Sequence, residues 1–278
     1  MNKIASPSAP LVVKYGGSAI RPEGADPILD EIARMHFGGQ AIVVVHGGGP
    51  EIDRALARRR IVTKRIDGLR VTGRTTLEVT EAVLCATVNK RIVRALLHAG
   101  ARAVGISGQD GATLVAERTR AAHDLGFVGT VVETNVALLR ALLDNRFVPV
   151  VSPLAISCDA RHALNVNADS AAAAIATAVE ARALVMLTDV ARVLRDPRNP
   201  ASAFHRLSIE DAIEFAGNPA CQNGMRPKIE AAIAYASATF GPAFICSSKS
   251  GIGAALAGDA TVVSNVPRRA TGGVGFVR

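Results

Sequence analysis

Six short apolar runs recur along the chain, LVVKY (11–15), AIVVVH (41–46), ARAVGIS (101–107), FVPVVSPL (147–154), ALVMLTD (183–189) and AFICSS (243–248). A strand covered on one face alternates apolar and polar residues. A near-continuous run needs cover on both faces, as in a parallel sheet between two layers of helices. Helix-length segments separate the runs. The clearest are TTLEVTEAVLCATVNKRIVRALLHAG (75–100), opening on a threonine cap and stopping at Gly100, and ADSAAAAIATAVEA (168–181), whose alanines allow close packing. The alternation predicts an α/β class, an αβα sandwich around a mainly parallel open sheet of about eight strands. Segment 109–132, QDGATLVAERTRAAHDLGFVGTVV, breaks the rhythm and reads as short strands and turns, a hairpin covering a site. With 278 residues the chain can form one large unit or two lobes. The expected division is an N-terminal lobe over 1–180 and a C-terminal lobe over 181–278.

Two of the runs end in glycine turns. LVVKYGGSA places Lys14 beside Gly16 and Gly17, and HGGGP supplies Gly47, Gly48 and Gly49. Glycine lets backbone N–H groups turn toward a ligand with no Cβ in the way, and a strand-to-helix turn of this kind is an anion site. Two of them with a lysine point to a ligand with several negative charges, phosphate first. Neither GxxxxGK[ST] nor GxGxxG occurs, so the P-loop and ordinary dinucleotide readings lose their main support.

Composition narrows the partners. Hydrophobic residues make up 49 %, yet no apolar run approaches the ~18 residues of a membrane span. The start, MNKIASPSAP, has no apolar leader stretch, so the cytoplasm is the expected location, with no membrane partner. The four cysteines, Cys85, Cys158, Cys221 and Cys246, lie far apart and read as buried reduced thiols. The net charge is +8, with basic residues crowded between Arg54 and Arg74. Aromatics at 4 % and the lack of any nucleic-acid-binding signature favour a solvated face that attracts anionic small molecules over a nucleic-acid surface.

Further motifs are scattered: GLRVT (68–72), NVNADSA (165–171), LTDVARVL (187–194) and NGMRPK (223–228). Each has an ordinary explanation. Asp169 fits a helix N-cap or first-turn acid, Asn165 and Asn167 fit turns, Arg70 a surface arginine and Lys228 a solvated helix lysine. Their co-occurrence in this order changes the reading. Between about residue 11 and residue 235, the lysine-glycine-glycine start, HGGGP, GLRVT, LGFVG (125–129), NVNAD, TDV and GM-x-x-K resemble the amino acid kinase family. GLRVT with NVNAD resembles its acetylglutamate branch in particular.

The resemblance implies an amino acid kinase or carbamate kinase-like fold. It also implies transfer of the γ-phosphoryl of ATP, with Mg²⁺ held mainly by phosphates and water, onto the side-chain carboxylate of N-acetyl-L-glutamate. In that reading Lys14, Asp169 and Lys228 are catalytic, and Gly16, Gly17 and Gly47 bind phosphate. Gly48, Gly49, Arg70 and Asn165 bind the acceptor, and Asp189, Val190, Arg192, Leu194, Gly224 and Met225 bind the nucleotide. It further implies a homodimer through the helix at 75–97. Two departures stand out. Arg192 occupies a position that is usually glycine in the family, where it is expected to be strained, to intrude, or to reach a phosphate. The stretch SSKSGIGAALAGDATVV (247–263) lacks the family's usual C-terminal elements, and with the short N-terminus this makes arginine feedback doubtful. A kinase for another N-acylated or carrier-linked acidic amino acid, such as aminoadipate, and a non-catalytic regulatory paralogue remain open.

Overall fold

The computed structural model describes residues 9–16, 26–66, 68–221 and 224–265; Gly17, Asn223 and the tail PRRATGGVGFVR, expected to be loose, lie outside the described residues. Eight strands form one sheet. From one edge the order is Arg206–Leu207, Thr261–Val263, Ala243–Ser247, Ala183–Thr188, Leu11–Tyr15, Ile42–His46, Val148–Ser152 and Ala103–Ser107. Only the pair Ala243–Ser247 and Thr261–Val263 runs antiparallel. The mainly parallel αβα sandwich expected from the apolar runs is what the chain forms. The expected boundary at 180/181 runs through this one sheet, because Leu11–Tyr15 pairs directly with Ala183–Thr188.

Alternation along each strand divides the interior. Leu11, Val13, Tyr15, Ile42 and Val44 pack on one face, with helix Pro27–Phe37 and the helical stretch 74–98. Val12, Val43 and Val45 pack on the other, against helices Ala168–Ala178 and Met225–Thr239. In Ala168–Ala178 four of the six buried positions are alanine, which lets the helix lie close to Met225–Thr239 and to the central strand.

Four expectations are corrected. FVPVVSPL forms two strands, Val148–Ser152 in the sheet and Leu154–Ser157 outside it. Pro153 separates them, having no N–H to continue a ladder. Segment 109–132 does contain an antiparallel hairpin, Leu114–Arg118 with Val128–Thr134. It is no free flap, since with Leu154–Ser157 and Ala163–Val166 it closes a four-stranded barrel. Gly129 makes that closure possible: a Cβ there would stand 2.7 Å from Leu164 Cβ and 3.1 Å from Ala116 Cβ. The helix at 75–100 begins after Gly73 rather than on a threonine cap, and its middle, Ala82–Val88, is π-helical between Arg74–Glu81 and Asn89–His98. All four cysteines are free, but Cys158 is exposed and Cys85 half-buried, so only Cys221 and Cys246 are buried thiols.

Candidate active site

Lys14 follows Val12 on the face turned toward helix Ala168–Ala178. One step beyond the apolar packing it meets that helix's first turn, where its Nζ lies 2.9 Å from Asp169 Oδ1. Asn167 starts the helix, its side chain accepting from the N–H groups of Asp169 and Ser170 at 2.8 and 3.3 Å. The N-cap is therefore Asn167, and Asp169 is left free to point inward. Its second oxygen, Oδ2, meets Lys228 Nζ at 3.1 Å. Lys228 comes from the first turn of Met225–Thr239 and also donates to Gly224 O at 3.2 Å. Three residues spread over more than two hundred positions thus form one ammonium–carboxylate–ammonium row, with side chains 6 %, 7 % and 12 % exposed.

Burial works against charge on Lys14 and lowers its pKa, although Asp169 partly offsets this. Burial alone would raise Asp169; the two ammonium groups outweigh it and hold the carboxylate below its ordinary value. The row carries one net positive charge in a dry place, which suits it to a polyanion.

The glycine turns flank this row. Lys14 folds back over Gly16, where a Cβ would stand 3.0 Å from Lys14 Nζ and 2.9 Å from Leu187 O. Gly47 does not present its N–H to a ligand as expected, because that group donates to Tyr15 O at 3.0 Å. Gly48 and Gly49 begin helix Gly49–Arg58, whose first N–H groups have no partner within the helix. Gly48 is glycine for room, since a Cβ there would meet Leu84 Cδ2 at 2.7 Å.

Arg70 is buried rather than on the surface, and its guanidinium is engaged. Its Nη1 meets Asp53 Oδ1 at 2.5 Å and Thr63 Oγ1 at 3.1 Å, and Nη2 lies 3.4 Å from Gly49 O. Asp53 is shared with Arg65 at 2.8 Å. Part of the basic crowd at 54–74 therefore forms ion pairs around the second turn instead of a plain solvated face. Asn165 Nδ2 donates to Thr72 Oγ1 at 3.2 Å, and that hydroxyl donates to Arg70 O at 2.7 Å. GLRVT and NVNAD are thus joined through Thr72. LGFVG is the connector: Phe127 N donates to Thr72 O, and Asn165 N to Phe127 O. Gly126, at φ +69°, lies so close to Thr72 that a Cβ would stand 2.4 Å from Thr72 O.

Asp189, Val190, Arg192 and Leu194 follow the strand beside Leu11–Tyr15, so their loop leaves the same sheet edge as Lys14. Arg192 has no positive φ, so the strain expected of a non-glycine residue there does not arise. Its guanidinium turns to the C-terminal turn at 258–260, donating to Ala260 O at 2.7 Å and Gly258 O at 3.2 Å. It also pairs with Asp259 at 3.1 Å and donates to His205 Nδ1 at 3.0 Å. Gly224 has no neighbour within 4 Å of a built Cβ, and Met225 packs against the main core. His46 and Asn89 escaped the sequence reading, although the histidine of HGGGP was in view. Nothing in the sequence connects it to a residue 43 positions away.

Comparison with known proteins is consistent with this geometry. The profile of the Amino acid kinase family matches residues 9–247. The acetylglutamate kinase of Brevibacillus brevis is 42 % identical over 224 residues, 80 % of this chain and 83 % of that protein. A solved structure of a Streptococcus mutans protein superposes with TM-score 0.79 at 26 % identity, over 92 % of this chain and 98 % of that one. Carbamate kinase of Giardia lamblia, solved with AMP-PNP, gives TM-score 0.71 at 16 % identity, over 93 % and 99 % of the two chains, a likeness of fold.

Proposed function

Because this chain belongs to the amino acid kinase family, we propose that it transfers the γ-phosphoryl of ATP to the side-chain carboxylate of N-acetyl-L-glutamate, forming an acyl phosphate. The observation that carries the reading is the buried Lys14–Asp169–Lys228 row at 2.9 and 3.1 Å. Bringing a carboxylate to a triphosphate is a problem of charge neutralisation and alignment, and this row addresses both. Lys14 lies beside the glycine turns and would hold oxygens of the moving phosphoryl group. Lys228, on the other helix, would stabilise the β–γ bridge as it takes on charge. Asp169 holds both ammonium groups in register. The acceptor is already ionised at neutral pH, so no general base is needed.

The N–H groups of Gly48 and Gly49 would meet the phosphoryl group, with Gly16 beside Lys14. Arg70 would grip the acceptor's α-carboxylate by exchanging Asp53, which keeps Arg65 as a partner. Asn165 would take the acetyl amide. The nucleotide would lie over Asp189–Leu194 and Gly224–Met225. Mg²⁺ would enter on the phosphates. Both Asp169 oxygens already sit on ammonium groups, and the described residues contain no cluster of three acidic, His or Cys side chains, so phosphates and water would supply most of its ligands. We assign acceptor binding to the N-terminal lobe and nucleotide binding to the C-terminal lobe, closing on each other to keep water from the acyl phosphate. No helix among the described residues is long and apolar enough to cross a membrane.

The test is a coupled ADP-release assay across a panel of N-acylated acidic amino acids. N-Acetylglutamate should give the highest kcat/KM. A preference for an acyl-aminoadipate would replace the substrate, and no turnover with any acceptor would leave a non-catalytic paralogue. In the same assay Arg70→Lys should raise the acceptor KM by roughly tenfold with little change in the ATP KM, since lysine cannot make a two-pronged contact. An unchanged acceptor KM would remove Arg70 from the site.

Arg192→Gly should free the loop after Thr188 from its anchor at 258–260. The added backbone freedom costs about 1 kcal/mol to reorder, so the ATP KM should rise roughly 3–10-fold while the acceptor KM holds. Equal ATP KM values would show the anchor to be irrelevant to nucleotide binding. The homodimer through 75–97 belongs to the same proposal. Most of that helix's apolar residues are spent inside its own lobe, leaving Leu97 exposed, while the exposed Phe37 packs on Gly100 just beyond the helix. Light scattering at micromolar concentration should give a dimer mass, and a clean monomer would refute the interface.

A further inference from the structure

We infer that His46 and Asn89 are positioning residues that aim the Gly48 amide of the HGGGP turn at the transferring phosphoryl group, an inference that rests on the reading of this turn given above. His46 closes strand Ile42–His46 and is fully buried. Its Nδ1 lies 2.9 Å from Gly47 O, and a carbonyl only accepts, so Nδ1 carries the proton. Its Nε2 lies 3.2 Å from Asn89 Nδ2, an amide nitrogen that only donates, so Nε2 offers its lone pair. The two contacts demand the same tautomer of a neutral ring. Burial, the largest influence, pushes the imidazole down to about 4, which keeps it neutral at physiological pH.

Asn89 is itself held. Its Nδ2 also lies 2.8 Å from Val150 O and 3.2 Å from Ile106 O, on two further strands of the sheet, so its two N–H groups are shared among these carbonyls and the His46 ring nitrogen. Gly105 clears its path, because a Cβ there would fall 2.0 Å from Asn89 Oδ1. Asn89 is the first residue after the π-helical stretch Ala82–Val88, a local widening of the kind that often re-aims a side chain at functional sites. The same stretch supplies Leu84 and Val88, which wall Gly48.

The consequence follows from the peptide bond. In a trans peptide the C=O of Gly47 and the N–H of Gly48 point in opposite directions. Anchoring Gly47 O on His46 therefore sets where the Gly48 N–H points. Gly47 N–H is pinned to Tyr15 O as well, so both polar groups of Gly47 are fixed. Three consecutive glycines left untied would flip this peptide at little cost. The histidine thus converts a soft turn into an aimed donor.

Two kinds of measurement test this. Nitrogen-15 NMR of the wild-type imidazole should show Nδ1 protonated and Nε2 bare between about pH 5 and 8, with His46→Gln shifting the Gly48 amide resonance. This readout needs no turnover, so it tests the inference even if the wild type phosphorylates no acceptor, an outcome that would sink only the proposed function. In kinetics, His46→Asn places an amide near Nδ1 and should keep kcat within ~3-fold. His46→Gln and His46→Leu lose that donor and should lower kcat at least ~10-fold, with both KM values within ~3-fold. Asn89→Ala, which leaves Nδ1–H in place but frees the ring, should give a smaller loss of kcat alone, and it serves if His46→Leu does not fold. An Nε2–H tautomer, or equal kcat in the His46→Asn and His46→Gln variants, would overturn the inference.

Discussion

Asp169→Asn should lower kcat by roughly 10²–10³-fold and also weaken the fold by about 3–5 kcal/mol, two effects with one cause. The carboxylate is nearly buried and each oxygen faces an ammonium group, at 2.9 and 3.1 Å. An amide of the same shape leaves two buried cations facing one another with no charge between them. They should draw apart or lose a proton, and neither outcome keeps the donors aligned for a moving phosphoryl group. Steady-state kinetics and urea unfolding measure the two effects. Loss of activity at full stability would make Asp169 a binding residue only, and loss of stability at full activity would make it structural.

The same carboxylate has a pH signature. Its folded pKa is depressed below the ordinary 3.8, so its contribution to stability is complete above that value and disappears as pH falls through the lower folded value. The wild type should therefore lose its advantage over Asp169→Asn only in strong acid. An advantage that faded near neutrality would implicate another group.

Lys14→Met and Lys228→Met should each cut kcat by roughly 10²-fold or more while changing either KM by less than about 5-fold, because each contact strengthens as charge develops in the transition state. The two variants should differ in stability. Lys14 resists its own burial, and a methionine of similar length removes that desolvation, while Lys228 remains to pair with Asp169. Lys14→Met should thus unfold at nearly the wild-type urea concentration. Lys228 stands nearer the solvent, at 12 % exposure, and its loss should also cost little. The double variant should be much less stable than the singles suggest, since it strands Asp169 without a partner. Losses confined to KM would mean that the lysines serve only ground-state binding.

The sheet was legible because its signal is local. A strand covered on both faces must be apolar almost throughout, and each of the six runs supplied a strand of the one sheet, FVPVVSPL only with its part before Pro153. The hinge at Pro153 could have been read from proline's missing N–H, but the apolar run concealed it. The π-helical stretch at 82–88 carried no signal, because its residues suit an α-helix just as well. Lys14, Asp169 and Lys228 were legible as an ordered set of motifs.

What the sequence by itself determined is the class of fold, the two glycine turns and the identity of the charged residues, since strand periodicity and glycine's missing Cβ act over a few neighbouring positions. Tertiary structure alone decided the partners. Hydrogen bonds and ion pairs act over about 3 Å of space whatever the chain distance. Only folding brought both lysines onto Asp169, placed Thr72 between Arg70 and Asn165, and spent Gly47's N–H on Tyr15. The same holds for Arg192, whose side chain the fold turned to the far loop at 258–260 because acceptors stood there to take its donors.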